Sequence, residues 1–232
     1  MKPPICKKIT QHGYTRMDNY AWLRDSNWKD IIDGKLNFEN PEILEYITAL
    51  NQHRDTVMSE YKDIEEELYK EIISRIQEDK VSYPFLKGNY YYYYKEKKGL
   101  NYKILCRKKA SNNSEMSDQE EIYFDINREA GDRKLYSFRS SEVNANNKYL
   151  AYMFNTSGSL EGTLKVRDLL SGKDLDWEIP NTTGNFQWIS DIELYYVERD
   201  ENLRGKRIYK INVTKGMASK EMVKKQLGVF YS

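Results

Sequence analysis

Three pairs of short apolar runs organise the second part of the chain. Lys148 to Phe154 is rich in Leu, Tyr and Phe, and Asn155 to Thr163 is polar with two glycines. Leu164 to Leu170 then alternates apolar with charged residues before Ser171-Gly172 turns the chain. This is the grammar of an antiparallel hairpin. It recurs in Asn89 to Tyr94 followed by Tyr102 to Arg107, and in Glu193 to Glu198 followed by Arg207 to Val213. Tyr102-Lys103-Ile104, Leu164-Lys165-Val166 and Tyr209-Lys210-Ile211 hold equivalent places in the three copies, so the chain repeats.

Upstream the period changes. Asn40 suits a helix cap and Pro41 the first helical position, and Ile43, Ile47, Leu50, Val57, Tyr61, Ile64 and Leu68 recur at spacings of three, four or seven. That stripe predicts helices with one apolar face. Asp63 and Glu66 have the form of a capping box, which predicts two helices, Pro41 to Glu60 and Ile64 to Gln77, hinged near Tyr61 to Asp63. A coiled coil is the competing reading, opposed by Arg54 within the stripe and by the shortness of the repeat. Pro84 ends the helical region and sets a domain boundary near Ser82. Residues 1 to 40 have little periodicity, yet Tyr20, Trp22, Leu23 and Trp28 are bulky groups that a free tail does not ordinarily carry. This extended arm is expected to pack on the body of the chain or on another domain.

Between the hairpins, Ala110 to Glu121 reads as a polar surface loop and Asp125 to Arg139 as a connector. Trp177 and Trp188 flank a turn-rich segment, Pro180 to Asn185, as if bounding the outer strands of a small sheet. Beyond Val213 the signals fade through Lys225, and Gln226 to Ser232 stops without a closing element. The hairpins begin 59 and 45 residues apart, at residues 89, 148 and 193. Repeats of this size suit the blades of a β-propeller, but closed propellers have ~4 to 8 blades. The expected fold is therefore mainly β with an N-terminal helical segment: an arm and two helices over residues 1–82, then a partial β-propeller of about three blades over residues 83–232. A β-sandwich built from the same strands is the alternative.

Composition narrows the function. Lys and Arg (37) nearly cancel Asp and Glu (36), which argues against nucleic acid and anionic membrane surfaces as partners. No apolar run approaches the ~18 residues needed to span a bilayer, and MKPPICKKIT has no apolar leader core, so a cytoplasmic protein is expected. Cys6 and Cys106 match no C-x-x-C pattern and read as reduced structural thiols. Twenty tyrosines against seven phenylalanines suit half-buried strands. The run Tyr90 to Tyr94 resembles a stacking platform for single-stranded nucleic acid. Alternation along a strand makes packing on two faces the stronger reading.

Motifs for chemistry are absent. A hydrolase elbow needs G-x-S-x-G, and Gly158-Ser159-Leu160-Glu161-Gly162 has its serine misplaced. His12 and His53 belong to no zinc or catalytic pattern, no phosphate-binding glycine motif occurs, and the acidic run Asp63 to Glu67 reads as a solvated helix face. Catalytic, cofactor and metal residues are accordingly assigned to no position.

The order of elements resembles the N-terminal part of the prolyl oligopeptidase family of serine peptidases, in its oligopeptidase B (protease II) branch. Asp18-Asn19-Tyr20-Ala21-Trp22-Leu23-Arg24-Asp25 looks like the family's opening D-x-Y-x-W-L-R-D, and Asn40-Pro41-Glu42-Ile43-Leu44-Glu45-Tyr46 like its next helix start. Arg75-Ile76-Gln77-Glu78-Asp79 with Ser82 and Pro84 is similar to the R-I-x-E-D-x-S-x-P that leads into the propeller. Lys148 to Tyr152 and Val166-Arg167-Asp168-Leu169 fit its second blade, although Asn155 stands where members often carry Asp. The resemblance implies a cytosolic serine peptidase, with proteolysis of short peptides after Lys or Arg and a propeller restricting access to an α/β-hydrolase domain. It places the Ser, Asp and His of the triad in that C-terminal domain, which this sequence does not reach. A truncated gating fragment, inactive alone and lacking its remaining blades and hydrolase domain, is therefore expected. The rival expectation is a non-catalytic propeller-like binding or scaffolding module.

Overall fold

The computed structural model describes residues 6–28, 30, 38–111, 115–158, 161–200, 202 and 204–224. Ser159 and Leu160 of the misplaced-serine string and the stretch from Gln226 to Ser232 lie outside the described residues. The chain divides into two compact units, Met1–Gln77 and Glu78–Ser232.

The first unit opens with a hairpin, β1 (Lys7–Gln11) and β2 (Tyr14–Asp18), where no strand was expected. Its two-residue turn, His12-Gly13, has positive φ at both positions (53° and 81°), the twist that a tight antiparallel turn requires. A 3-10 turn, Ala21–Leu23, brings Trp22 edge-on to Tyr46 with ring centroids 5.1 Å apart, so the arm packs within its own unit. Asp25, 5% exposed, accepts backbone N–H bonds from Ser26 (2.7 Å) and Asn40 (3.2 Å).

Asn40 caps α1 (Pro41–Ser59) by accepting from the Glu42 N–H, with Pro41 opening the helix as its sequence suggests. The break falls at Glu60-Tyr61, and α2 spans Lys62–Ser74. The capping box expected at Asp63 and Glu66 does not form, because the helix has already begun at Lys62 and the Glu65 N–H donates to the Tyr61 carbonyl. Among the described residues of the two helices only Ile43 is buried; Ile47, Leu50, Val57, Ile64 and Leu68 of the stripe are exposed.

The second unit is a series of antiparallel meanders. The first comprises β4 (Phe85–Lys87), β5 (Tyr90–Glu96), β6 (Ile104–Ala110) and β7 (Met116–Asp125), with β3 (Lys80–Val81) also pairing β5. A single-turn helix, α3 (Ile126–Ala130), capped by Asp125, leads to the second. There β8 (Ser137–Val143), β9 (Tyr149–Asn155) and β10 (Gly162–Asp168) are followed by the short β11 (Lys173–Asp174) and by β12 (Ile179–Trp188). The third consists of β12 again, β13 (Glu193–Arg199), β14 (Gly205–Asn212) and β15 (Glu221–Lys224).

Two sequence expectations are corrected here. Ala110 to Glu121 is not a loop throughout, since β7 begins at Met116. Its polar side chains are held by cross-strand ion pairs, Lys95 to Glu120 at 2.6 Å and Arg107 to Glu121 at 2.7 Å. Pro180 to Asn185 is not a turn between outer strands but the middle of β12. That strand pairs β10 through Ile179 and Thr182, then shifts register and pairs β13 through Phe186 to Trp188. Asn181 (φ 59°) and Gly184 (φ 87°) make the kink that passes one strand between two meanders.

Burial explains why β9 reads as an unbroken apolar run. Leu150 and Tyr152 join a core with Tyr92, Phe124, Tyr136 and Val143, filling the seam between meanders one and two. Tyr149 and Ala151, on the opposite face, join Leu164, Val166, Trp188, Leu194 and Ile211 in the seam between two and three. With both faces covered, nothing favours a polar residue at alternate positions. The tyrosine run divides the same way: Tyr92 enters the first core, and Tyr93 packs with Ile104 and Cys106 on the other face. The packing reading of that run is the one the structure supports.

Candidate functional site

Strands β4 and β8 each lie at a sheet edge, the Phe186 to Trp188 end of β12 ladders only with β13, and these three stretches meet. Backbone groups on an edge strand have no ladder partner on one side, so side chains from the neighbouring meander complete them. The Lys87 ammonium on β4 donates to the Val143 carbonyl on β8 at 2.6 Å, and stands 3.8 Å from the Glu142 carboxylate. The Trp188 indole N–H on β12 donates to the Glu142 carbonyl at 2.9 Å, and the Ser140 hydroxyl donates to the Gly184 carbonyl at 3.0 Å. Strand β8 is thus held from both sides. Phe85, Leu86, Arg139, Ser141, Asn185 and Gln187 are among the exposed side chains along this row.

Beside the row, in the seam between meanders one and two, lies a cavity of about 340 Å3. Phe85, Tyr92, Tyr94, Leu105 and Tyr123 line it, with Lys87, Ser141 and Glu142. Burial pushes the Tyr123 phenol well above its usual range. Behind the cavity two arginines tie the seam. Arg107 donates from Nε and Nη2 to Glu121, at 2.8 and 2.7 Å, and from Nη1 to the Asn147 carbonyl at 3.0 Å. Arg167 bridges Glu129 at 2.8 Å and Asp174 at 2.7 Å, and Asp174 accepts from the Tyr152 hydroxyl. On the far face of the first meander, hydrogen bonds from Lys95 and Tyr93 hold the Glu120 carboxyl below the usual carboxylate range.

This arrangement can bind through hydrogen bonds and apolar contact. His12 sits in the β1–β2 turn and His53 on α1, both exposed, and neither hydrogen-bonds a hydroxyl or thiol among the described residues. Asp63 to Glu67 lie exposed on α2. Among the described residues no group of three or more His, Cys, Asp or Glu is placed to hold a metal ion, and no helix is long and apolar enough to cross a membrane. The row itself was missed by sequence reasoning. Its only signal is that Lys87, Val143 and Trp188 each end a strand at a meander's first edge.

Successive antiparallel meanders packed across two buried seams, with their first strands in one row, define an open arc of a β-propeller. The chain belongs to the prolyl oligopeptidase family: the profile described as "Prolyl oligopeptidase, N-terminal beta-propeller domain" matches residues 6–228. It is similar to dipeptidyl aminopeptidase BI of Pseudoxanthomonas mexicana, with 31% identity over 89% of this chain and 29% of the relative. It is also similar to protease 2 of Moraxella lacunata, with 26% identity over 96% of this chain and 32% of the relative. Oligopeptidase B from Leishmania major shares the fold, with a TM-score of 0.81 at 21% identity over 98% of this chain and 32% of that one. The chain therefore spans about three tenths of the length of the relatives it matches. A propeller arc, rather than a self-contained sandwich, describes it.

Proposed function

We propose that this chain is the gating part of a serine oligopeptidase of the oligopeptidase B or protease 2 type, which admits short peptides to a hydrolase domain that cleaves after Lys or Arg. The observation that carries this reading is the family match across residues 6–228, reinforced by the protease 2 relative. The Ser, Asp and His of the reaction belong to that hydrolase domain, and no residue of this chain takes a catalytic role. Its contribution is steric and recognitive: the joined edge strands form one wall of the passage, and their stiffness sets which peptides reach the chemistry. The working compartment is the cytoplasm.

Reconstitution tests the proposal. The purified chain alone should leave Lys- and Arg-linked chromogenic peptides intact and take up no serine-directed phosphonate. Co-expressed with the hydrolase portion of a protease 2 relative, it should restore cleavage of short peptides but not of folded proteins. Hydrolysis and phosphonate labelling by the chain alone would overturn the reading. So would a complex that cleaves long and short substrates alike.

A further inference from the structure

The seam between meanders one and two is packed by aromatic and aliphatic side chains, and a 340 Å3 cavity remains beside them. Its wall is apolar. Tyr92 and Leu105 are buried, Phe85 stacks on Tyr92 with ring centroids 5.9 Å apart, and Tyr123 meets Tyr92 edge-on at 5.4 Å. The Tyr94 and Tyr123 hydroxyls have no hydrogen-bond partner among the described residues.

Two charges of opposite sign complete the lining. Lys87 uses one of its three N–H donors on Val143. Glu142 forms an ion pair with that ammonium at 3.8 Å, beyond hydrogen-bond distance, so its carboxylate accepts no hydrogen bond among the described residues. A lone cation would meet Lys87, a lone anion would meet Glu142, and a hydrocarbon chain would use neither. A peptide residue uses both, because its N–H and C=O are a donor and an acceptor a few ångströms apart while its side chain fills an apolar space.

We infer that this cavity binds one large apolar residue, of the Phe or Leu class, in a peptide lying along the first-strand row, with Glu142 accepting its N–H and Lys87 donating to its C=O. The inference rests on the gating reading and gives the gate a preference of its own, distinct from any preference for basic residues at the cleavage position. Withdrawing a large side chain from water is worth about tenfold or more in affinity over Ala.

The full chain should be titrated with acetyl-Gly-X-Gly-amide peptides, X being Phe, Leu or Ala, by isothermal calorimetry and by tyrosine fluorescence. Phe and Leu peptides should bind at least about tenfold more tightly than the Ala peptide. Ser141→Trp, which fills the cavity from an exposed position, should remove that difference while leaving the melting temperature unchanged. Glu142→Gln, which breaks no hydrogen bond of the carboxylate, should weaken every peptide several-fold and serves where Ser141→Trp fails to fold. Equal affinity for Phe and Ala peptides would overturn the inference. So would Phe binding that survives a folded Ser141→Trp, affinity indifferent to Glu142→Gln, or toluene competing as well as the Phe peptide. Binding is read without catalysis, so failure here leaves the gating reading standing, and failure of reconstitution leaves this result standing.

Discussion

Replacing Arg107 with alanine should be among the most damaging single changes in the propeller arc, and the structure says why. The side chain is 6% exposed, while that of its ion-pair partner Glu121 is 43% exposed. On truncation Glu121 regains water, so the ion pair itself is worth about 1 kcal/mol or less. The Asn147 carbonyl, which accepts from Nη1 across the seam, has no such escape because Asn147 is 9% exposed; stranding it costs about 1–3 kcal/mol. Loss of the guanidinium from its position 4.3 Å from the Tyr90 ring centre adds about 0.5–2 kcal/mol. Together these give about 1.5–6 kcal/mol, most of it from contacts other than the salt bridge. Glu121→Gln should cost about 1 kcal/mol or less, since it touches only the weaker contact. Urea unfolding of both variants, followed by circular dichroism with the slope held constant, measures the two values. A loss below 1 kcal/mol for Arg107→Ala, or equal losses for the two variants, would refute the claim that the bond across the seam dominates.

Other consequences are as specific. Asn144, with no exposed surface, accepts from the N–H groups of Lys148 and Tyr149 and donates to the Asp191 carbonyl. Asn144→Ala should therefore cost about 3 kcal/mol, and Asn144→Asp should do no better because it replaces the donor with an acceptor; thermal melts decide. Gly184→Ala combines a φ of +87° with a new Cβ 2.7 Å from Met153 Cε. It should cost about 2 kcal/mol or more, against about 1 for Gly172→Ala, whose Cβ would meet open space; equal losses would rule out the packing contribution. Burial, aided by Glu120, pushes the Cys106 thiol up to about 11. Iodoacetamide at pH 8 should label exposed Cys6 alone, with a second adduct appearing in denaturant and mass spectrometry counting both. Asp25 sits below the usual carboxylate range: burial raises it, but backbone hydrogen bonds from Asn40, Ser26 and Glu39 outweigh that. Its contribution is present above the unfolded carboxyl pKa and is lost as pH falls through the lower folded value. Protection of the Ser26 and Asn40 amides from hydrogen exchange, taken relative to the intrinsic rate at each pH, should fall below the ordinary carboxylate range and stay level with pH in Asp25→Asn.

Much of the fold was legible because local chemistry and tertiary structure agree. The hairpins β5–β6, β9–β10 and β13–β14 announce themselves by runs and turns, and the Asn40-Pro41 start of α1 by its cap. Where the reading failed, a distant partner had overruled the local pattern. Met116 to Glu121 is polar enough to be a loop, yet Glu120 and Glu121 lie opposite Lys108 and Arg107 on β6, and no window of neighbouring residues contains that fact. Pro180 to Asn185 carries turn residues because β12 must kink between two meanders, and a kink and a turn draw on the same residues. The β1–β2 hairpin was missed for a smaller reason: its strands are exposed on nearly every position, so alternation left no trace, although a positive-φ pair at His12-Gly13 was there to be weighed.

The candidate site was the least legible part, and the reason lies in how a propeller joins its blades. Within a meander the backbone pairs with itself, and the pattern of side chains reports that pairing. Along the row, β4, β8 and the Trp188 end of β12 do not ladder with one another, so single side chains reach across 56 residues from Lys87 to Val143 and 46 from Glu142 to Trp188. Each such contact is one residue deep and leaves no periodicity. The two seams are nevertheless closed by different chemistry. Trp188 closes the second with a neutral donor buried in the core, while Lys87 closes the first with an ammonium that keeps donors to spare beside a carboxylate it meets at ion-pair distance but does not hydrogen-bond. Hydrogen-bonding capacity left over beside an apolar cavity is a poor way to stabilise a seam and a good way to hold a peptide. For that reason we place recognition at the first seam and rigidity at the second.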